Sequence, residues 1–275
     1  MLFDRPGARH LLSALLPIVA LPLRDGVRRI SHDRGWIHQF DDGIVVEPRP
    51  RLRSYDIGKI RNEDLWGFLY EPKAGDTIVD VGAGLGAETI FFARVVGAAG
   101  HVYSIEAHPG IYAYLERSIA MNHFDQVTTY NVALSNKRET VHIKDDLDDL
   151  LGNFIVGQSD GVPVQAVTLD ELSATEKIER IDFLKMNIEG SERAAVQGLV
   201  NTLSKIGIVC ISCHDFKYRR TNDPFFETKD FVRSFLEKNG FVVVERESEL
   251  PEVADQVNAF NPLVVGKNFK GRNSR

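Results

Sequence analysis

The segment at residues 76–86 is an apolar strand that runs directly into three clustered glycines, Gly82, Gly84 and Gly86. Glycine has no Cβ and tolerates a positive φ, so the backbone can approach a ligand closely and the next helix can present its N-terminal N–H groups. This pattern predicts an α/β fold in which a nucleoside cofactor lies against a backbone turn. The turn alone does not name the cofactor.

Two cofactors fit this turn. The spacing Gly82-x-Gly84-x-x-Ala87 satisfies a relaxed dinucleotide fingerprint, in which Glu106, at the end of the next predicted strand, accepts from the ribose hydroxyls. Asp80 lies two residues before the first glycine, where its carboxylate would repel a pyrophosphate but can accept from a cationic amino acid or anchor the loop. Asp80 therefore favours S-adenosylmethionine over NAD. The candidate cofactor-binding residues of this region are Asp80, Gly82, Ala83, Gly84, Gly86 and Glu106.

Length and charge limit the classes of protein that remain. A chain of 275 residues with 43% hydrophobic content suits one large domain with an appendage. The formal net charge of -6 argues against a general nucleic-acid binder. A local basic cluster, Arg49, Arg51 and Arg53, could hold an acidic or phosphorylated substrate, or could be a solvated surface.

The apolar segment at residues 11–23 follows basic residues and superficially resembles a signal peptide. It is too short to span a bilayer, and Pro17 and Pro22 interrupt it. We expect a packed or docking helix here, with weak attachment to a membrane surface as the alternative.

The chain has two cysteines, Cys210 and Cys213, at C-x-x-C spacing. They fall within an apolar run at 206–213, which predicts a buried strand, and residues three apart on a strand point to opposite faces. A zinc site would also need a second pair of ligands. We therefore expect two reduced, structural thiols, which suit a cytoplasmic protein.

From residue 76 onward, predicted strands and helices alternate. They predict a doubly wound, Rossmann-like parallel sheet whose ligand cleft lies at the carboxyl ends of the strands. The last two strands are expected to form an antiparallel hairpin at one sheet edge, an ending typical of class I methyltransferases. The predicted strands are 76–81, 101–105, 127–132, 181–187, 207–213, 241–246 and 261–266, and the predicted helices are 87–97, 109–122, 191–204 and 226–239.

The chain divides into an appendage, residues 1–70, and a cofactor-binding domain, residues 71–275. The appendage contains a predicted hairpin at 36–46 and a possible helix at 61–70. It would cover the cofactor or substrate, or form an interface in a homo-oligomer. Within the domain, the acidic segment 144–161 is interpreted as a mobile loop near the cleft.

Two pairs of motifs give the chain a family resemblance. The front pair is Asp80-Val81-Gly82-Ala83-Gly84 with Val102 to Pro109, and the back pair is Thr168-Leu169-Asp170-Glu171-Leu172 with Asp182 to Glu192. Across residues 60–265 the chain resembles the FkbM family of S-adenosylmethionine-dependent methyltransferases, whose pattern T-L-D-x-L then D-x-x-K-x-D-x-E-G-x-E matches the back pair. It departs from that pattern at Asn187, where the family usually has aspartate. An amide keeps the shape but cannot be a strong base or a charged metal ligand.

The resemblance implies a methyltransferase domain and further cofactor contacts. Ala107 and His108 would lie along the adenosine, although His108 could equally start the helix at Pro109. Asn131 and Ala133 match a family region near the adenine, with Asn131 closing a turn as the alternative. The remaining candidate cofactor residues are Asn187, Tyr55 and Glu63, the last two as residues that close over the cofactor.

Methyl transfer to a hydroxyl requires an aligned acceptor and a group that removes its proton. His214 and Asp215 follow one predicted strand, and Glu189 follows its neighbour, so all three should converge at the cleft. We predict His214 as the general base, with a structural histidine as the alternative. Glu189 has an alternative of its own, a charge at the start of a helix that the helix dipole stabilises. The same three residues could instead hold Mg²⁺ or Mn²⁺ that lowers the pKa of the acceptor hydroxyl.

The sequence thus predicts an S-adenosylmethionine-dependent O-methyltransferase, with a small-molecule hydroxyl of a sugar, oligosaccharide, glycolipid or polyketide precursor as the acceptor that the resemblance implies. N-methylation of an amine is the nearest enzymatic alternative. Two further alternatives are an NAD-dependent dehydrogenase and a non-catalytic scaffold that binds the cofactor. The scaffold is suggested by Asn187, which stands where the family has aspartate.

Overall fold

The computed structural model describes residues 27–50, 65–145, 153–157, 161–266 and 269. Several predictions of the sequence fall outside these residues and are not tested by the structure. They concern the apolar segment 11–23, Arg51, Arg53, Tyr55 and Glu63.

The strands and α-helices of the described residues are numbered in chain order. The strands are β1 Val27–His32, β2 Trp36–Phe40, β3 Ile44–Glu47, β4 Thr77–Val81, β5 His101–Ile105, β6 Val127–Tyr130, β7 Ala133–Leu134, β8 Glu139–Lys144, β9 Ile155–Val156, β10 Gly161–Val167, β11 Ile181–Met186, β12 Ile206–Ser212, β13 Val242–Val244 and β14 Gln256–Phe260. The α-helices are α1 Ala87–Val96, α2 Pro109–Asn122, α3 Leu169–Thr175, α4 Glu192–Gln197, α5 Asp215–Thr221, α6 Lys229–Lys238, α7 Pro251–Ala254 and α8 Pro262–Val265.

A seven-stranded sheet forms the centre of the fold, in the order β13-β14-β12-β11-β4-β5-β6. The pairs from β12 to β6 are parallel, whereas β14 is antiparallel to both of its neighbours. Every residue of β12 is buried, as expected for a parallel strand with both faces covered. The predicted class I methyltransferase architecture with an antiparallel edge pair is confirmed.

The predicted strand at 261–266 is wrong, because the last strand is β14 and residues 262–265 form the short helix α8. The helix begins where Asn261 acts as N-cap, its side chain accepting from the backbone N–H of Leu263, and Pro262 takes the first helical position. The apolar run after Asn261 resembles a strand in the sequence, but the N-cap at Asn261 starts a helix there instead. The helix observed in the region predicted as 191–204 is also shorter than predicted, since α4 ends at Gln197.

A second sheet, in the order β7-β10-β8-β9, was not predicted; β8 and β10 lie on either side of the acidic segment 144–161, and β9 lies within that segment. β8 and β10 pair antiparallel from Glu139 to Lys144, and β9 pairs with the end of β8. Buried Ile143, Val164 and Ala166 form the core of this sheet. The alternation of apolar residues along 139–144 was the signal for β8, but the neighbouring acidic run obscured it.

A three-stranded antiparallel sheet, β1-β2-β3, packs against helix α2 and confirms the predicted hairpin at 36–46. Two α2 side chains bond the backbone of β3. Ser118 Oγ accepts from the N–H of Val46 at 2.9 Å, and Asn122 accepts from the N–H of Ile44 at 2.9 Å and donates to its carbonyl at 2.7 Å. This part of the appendage is therefore bonded to the helix that follows the second strand of the central sheet.

Of the helix predicted at 61–70, residues 65–66 are helical and residues 67–69 form a turn. Leu69 and Tyr70 pack with Ile78 and Phe183 on one face of the central sheet. Among the described residues, no helix is both long enough and apolar enough to cross a membrane.

Candidate active site

A cleft opens at the carboxyl ends of β4, β5, β11 and β12, where the sequence predicted it. One side of the cleft is formed by residues after β5 and by the second sheet, and the other by residues after β11 and β12 together with Leu65 and Trp66. The predicted site residues that line it are Gly82, Gly84, Glu106, Ala107, His108, Ala133, Asn187, Glu189 and His214.

The glycine turn has the conformation that its sequence implies. Gly82, Gly84 and Gly86 all have positive φ, at 73°, 57° and 91°. A Cβ on Gly82 would lie 1.9 Å from the carbonyl oxygen of Asn187, so a larger residue would displace the loop after β11. A Cβ on Gly84 would meet no protein atom within 4 Å, which leaves space for a ligand at the floor of the cleft.

Two other residues of the turn shape it without lining the cleft. Ala83 is 2% exposed, and its N–H donates to the carbonyl of Ile105. Gly86 caps helix α1, and a Cβ there would lie 2.7 Å from Leu115 on α2. The structure therefore gives Ala83 and Gly86 a packing role rather than the predicted cofactor contact.

Glu106 occupies the position predicted for a ribose acceptor, directly after β5. Its carboxylate accepts from the N–H of Gly84 and from the N–H of His108, both at 2.9 Å. Burial raises the pKa of Glu106, while the two backbone N–H groups and Lys185 oppose that rise. The carboxylate thus connects the glycine turn to the start of α2 and faces the cleft between them.

Asp80 does not line the cleft, which corrects its prediction as a cofactor contact. The side chain is fully buried, with Oδ1 2.8 Å from Lys185 Nζ and Oδ2 accepting from the hydroxyl of Thr89 at 2.7 Å. Of the two roles that the sequence left open, the structure supports loop anchoring.

His108 and Asn131 follow the alternatives that the sequence left open. His108 Nδ1 accepts from the N–H groups of Gly110 and Ile111, so it is the N-cap of α2, although the residue also borders the cleft. Asn131 donates to the carbonyls of Glu106 and Ala107, both at 2.9 Å, and does not line the cleft. It holds the turn that carries Glu106.

Asn187 lies at the end of β11, where its N–H donates to the carbonyl of Val81. Its side-chain oxygen is buried and has no hydrogen-bond partner. A buried acceptor without a partner is costly, and in a cleft it marks a position where a ligand can supply the donor.

His214 is 3% exposed and is held between two carboxylates. Its Nδ1 lies 2.8 Å from Oε1 of Glu192, which is fully buried, and its Nε2 lies 3.3 Å from Oε1 of Glu189. Burial opposes protonation, but the charges and hydrogen bonds of Glu192 and Glu189 prevail and raise the pKa of His214 to about 10. A pKa raised in this way favours the protonated imidazole at neutral pH and weighs against the prediction of His214 as the general base.

Glu189 is the charged acceptor that faces the cleft. Its φ of 54° is left-handed, a costly conformation for a residue with a side chain and one that concentrates at functional sites. One carboxylate oxygen contacts His214 and the other accepts from Lys217. Burial raises its pKa, but bonds to His214 and Lys217 lower it overall, so Glu189 is ionised at neutral pH.

Asp215 points away from the cleft, so the predicted cluster of three residues does not form. Its carboxylate accepts from the N–H groups of Thr228 and Lys229 and thereby holds the start of α6. In the part of the chain that the structure describes, no group of three or more His, Cys, Asp or Glu side chains could hold a metal ion. The predicted metal site of Glu189, His214 and Asp215 is not supported.

Several residues of the cleft were not predicted from the sequence. Trp66 and Gln256 come to the cleft from distant parts of the sequence, and Phe154 from the acidic segment. Glu192 was predicted only as part of the back motif, although its bond to His214 sets the charge of the site.

Comparisons with known proteins identify a family. Residues 80–243 match the methyltransferase FkbM domain. No protein of curated function matches the sequence. The structure is similar to methyltransferase FkbM from Methylobacillus flagellatus KT, at 20% identity and a TM-score of 0.47, over 76% of this chain and 48% of that one.

Two other solved structures show the breadth of the similarity. Aeropyrum pernix fibrillarin, in complex with natively bound S-adenosyl-L-methionine, matches at 13% identity and a TM-score of 0.44 over 85% of this chain and 98% of that one. The O-methyltransferase from Bacillus cereus in complex with SAH matches at 14% identity and a TM-score of 0.44, over 67% of this chain and 74% of that one. This chain spans about half the length of the Methylobacillus structure.

Proposed function

Since this chain belongs to the FkbM methyltransferase family, as the match over residues 80–243 shows, we propose that it transfers the methyl group of S-adenosylmethionine to a hydroxyl of a small molecule. The acceptors that we propose are a sugar, an oligosaccharide, a glycolipid or a polyketide precursor. The observation that carries the proposal is the ionised Glu189, held by two cations at the side of the cleft opposite Glu106.

The residues of the cleft fit S-adenosylmethionine. Gly84 leaves open space above the turn, Glu106 offers a carboxylate beside it, and Asn187 has a buried oxygen that lacks a donor. Two ribose hydroxyls and an ammonium are among the hydrogen-bond donors of this cofactor, and these acceptors suit them. Glu106 would hold the ribose, and Asn187 would hold the amino-acid part.

The side chains around Glu189 then supply what methyl transfer needs. Bound S-adenosylmethionine supplies an electrophilic methyl group. Glu189 accepts the hydrogen bond of the acceptor hydroxyl and thereby aligns its oxygen, and it takes up the proton as the new bond forms. His214 is already protonated, so its role is to fix the Glu189 carboxylate and to balance the charge of Glu192.

Replacing Glu106 by Ala is expected to weaken binding of S-adenosylhomocysteine about 30-fold, because the change removes the charged acceptor for the ribose and the partner of the Gly84 N–H. Titration calorimetry measures the effect. Glu179→Ala, a change at an exposed glutamate remote from the cleft, is the matched control and should bind like the wild type. Equal affinity in both variants would contradict the role of Glu106.

Calorimetry of the unmodified protein with S-adenosylhomocysteine and with NAD tests the cofactor before any acceptor is known. We expect saturable binding of S-adenosylhomocysteine alone. Added Mg²⁺ should change the affinity less than about threefold, because Asp215 does not join Glu189 and His214 and an isolated carboxylate–imidazole pair holds the ion poorly. Binding of NAD alone would favour a dehydrogenase, and cofactor binding without product formation would favour a scaffold.

We further propose that residues 1–70 cover the ligands of the domain at 71–275. Leu65 and Trp66 border the cleft, and the β1-β2-β3 sheet bonds to α2, whose first turn adjoins Glu106. An oligomer interface is the alternative for this appendage.

The two cysteines are unpaired and buried, which suits a reducing compartment such as the cytoplasm.

A further inference from the structure

Lys185 is a lysine in the middle of the central sheet whose side chain is 2% exposed. Burying an ammonium costs several kcal/mol of desolvation unless its partners repay it. Its Nζ lies 2.8 Å from Asp80 Oδ1 and donates to the carbonyl oxygen of Gly82 at 2.8 Å. The ring of Trp66 lies over it, with the centroid 5.1 Å away.

The contacts of Lys185 reach both ends of the glycine turn. Gly82 begins the turn, and its N–H donates to the carbonyl of Ile105, so β5 holds the peptide before Gly82 and Lys185 holds the peptide after it. The second oxygen of Asp80 accepts from Thr89 in the first turn of α1, just after the turn ends. The buried ion pair therefore connects the start of the turn to the helix that follows it.

Stability alone does not require this pair. Well-packed apolar residues commonly replace a buried ion pair at no loss of stability. What an apolar residue cannot replace is the N–H that bonds the Gly82 carbonyl, in the peptide that precedes the open floor at Gly84.

We propose that Lys185 is a positioning residue for methyl transfer: its ammonium fixes the Gly82 carbonyl, keeps the Gly84 N–H on Glu106, and so holds the turn in the shape that the cofactor needs. This inference rests on the proposed function. Lys185 also contacts Trp66, which lies before the matched family domain, so the same ammonium joins the turn to the other wall of the cleft.

A pair of variants separates positioning from stability. In Lys185→Met the carboxylate of Asp80 is buried without a cation, and the melting temperature should fall by about 8 °C or more. The double variant Asp80→Asn with Lys185→Met removes that charge, while the amide oxygen that replaces the carboxylate can still accept from Thr89, so the melting temperature should return to within about 3 °C of the wild type. Both variants lack the ammonium that donates to the Gly82 carbonyl, so both should bind S-adenosylhomocysteine about 20-fold more weakly.

The matched control is Lys205→Met. Lys205 also donates to a backbone carbonyl, that of Ile178 at 2.7 Å, but it lies away from the cleft, and its loss should leave the affinity unchanged. Recovery of wild-type affinity in the stable double variant would overturn the proposal, because Lys185 would then serve stability alone.

Hydrogen exchange over residues 82–86 gives a readout that needs no ligand. The double variant should exchange the Gly84 N–H faster than the wild type, and Lys205→Met should not. Unchanged exchange would also overturn the role of Lys185. A wild-type protein that binds no S-adenosylhomocysteine would contradict the proposed function, and the exchange rates would still decide whether Lys185 holds the turn.

Discussion

Glu189→Gln is expected to lower kcat for methyl transfer about 100-fold while changing the affinity for S-adenosylhomocysteine less than about threefold. Glutamine keeps the shape of the side chain, but it has no charge and cannot take up the proton of the acceptor hydroxyl. One oxygen of Glu189 contacts His214 and the other Lys217, and the side chain remains 16% exposed at the cleft, so the acceptor can still reach it. Turnover is measured with labelled methyl donor and the best acceptor from a panel of sugars and polyketide alcohols.

The control for this change is Glu227→Gln, at an exposed glutamate outside the cleft, which should retain wild-type turnover. Because the change is in kcat and not in cofactor affinity, a general loss of folding would be recognised by weaker binding. Near-normal kcat in Glu189→Gln would mean that the acceptor proton leaves by another route, and Glu189 would then serve only to hold His214 and Lys217.

The charge of His214 should make the stability of the protein fall between pH 6.5 and pH 10. Its pKa is raised from 6.5 to about 10, so the folded state binds the proton more tightly than the unfolded chain. The stabilisation is fully present below pH 6.5 and is lost as the pH rises through the folded-state pKa. A shift of this size corresponds to on the order of 5 kcal/mol of unfolding free energy.

Urea unfolding at several pH values, compared between the wild type and His214→Gln, isolates this contribution. The comparison is needed because burial also raises the pKa of Cys210, whose thiol ionises more readily in the unfolded chain at high pH. The variant should lose most of the pH dependence and be destabilised at pH 7, where Glu192 is left without a cation. His123→Asn, at the exposed C-cap of α2, is the control. A wild type as stable at pH 10 as at pH 6.5 would show that His214 is neutral in the fold and free to act as a base.

The sequence predicted the central sheet closely because its signals are local. Parallel strands appear as apolar runs, and the start of a helix such as α2 is marked by a proline at the first position after a capping residue. The second sheet was missed because β8 and β10 are separated by an acidic stretch and are stabilised by pairing with each other. The last strand was displaced by a few residues because one N-cap, at Asn261, separates two similar apolar runs.

The candidate site was predictable by position but less so by charge. Strand ends placed Glu106, Glu189 and His214 at the cleft. Which of them carries a proton depends on Glu192, a buried partner whose contact with His214 arises from the packing of two strand ends. Asp215 follows His214 in sequence, yet one residue of helical rotation turns it to the backbone of Thr228 and Lys229. Neighbouring positions in a sequence therefore did not imply a shared site.

The placement of β14 has a consequence for how the molecule is made. This strand, residues 256–260, lies between β12 and β13, which precede it in the chain, and it is antiparallel to both. On the ribosome, β13 has no partner and β12 presents an open edge until residue 260 has emerged. Long-range pairing of this kind is slow and exposes the edge to other chains. Gln256 of this strand also bonds the carbonyl of Leu65, so the wall of the cleft at residues 65–66 is closed by a segment that is synthesised 191 residues later.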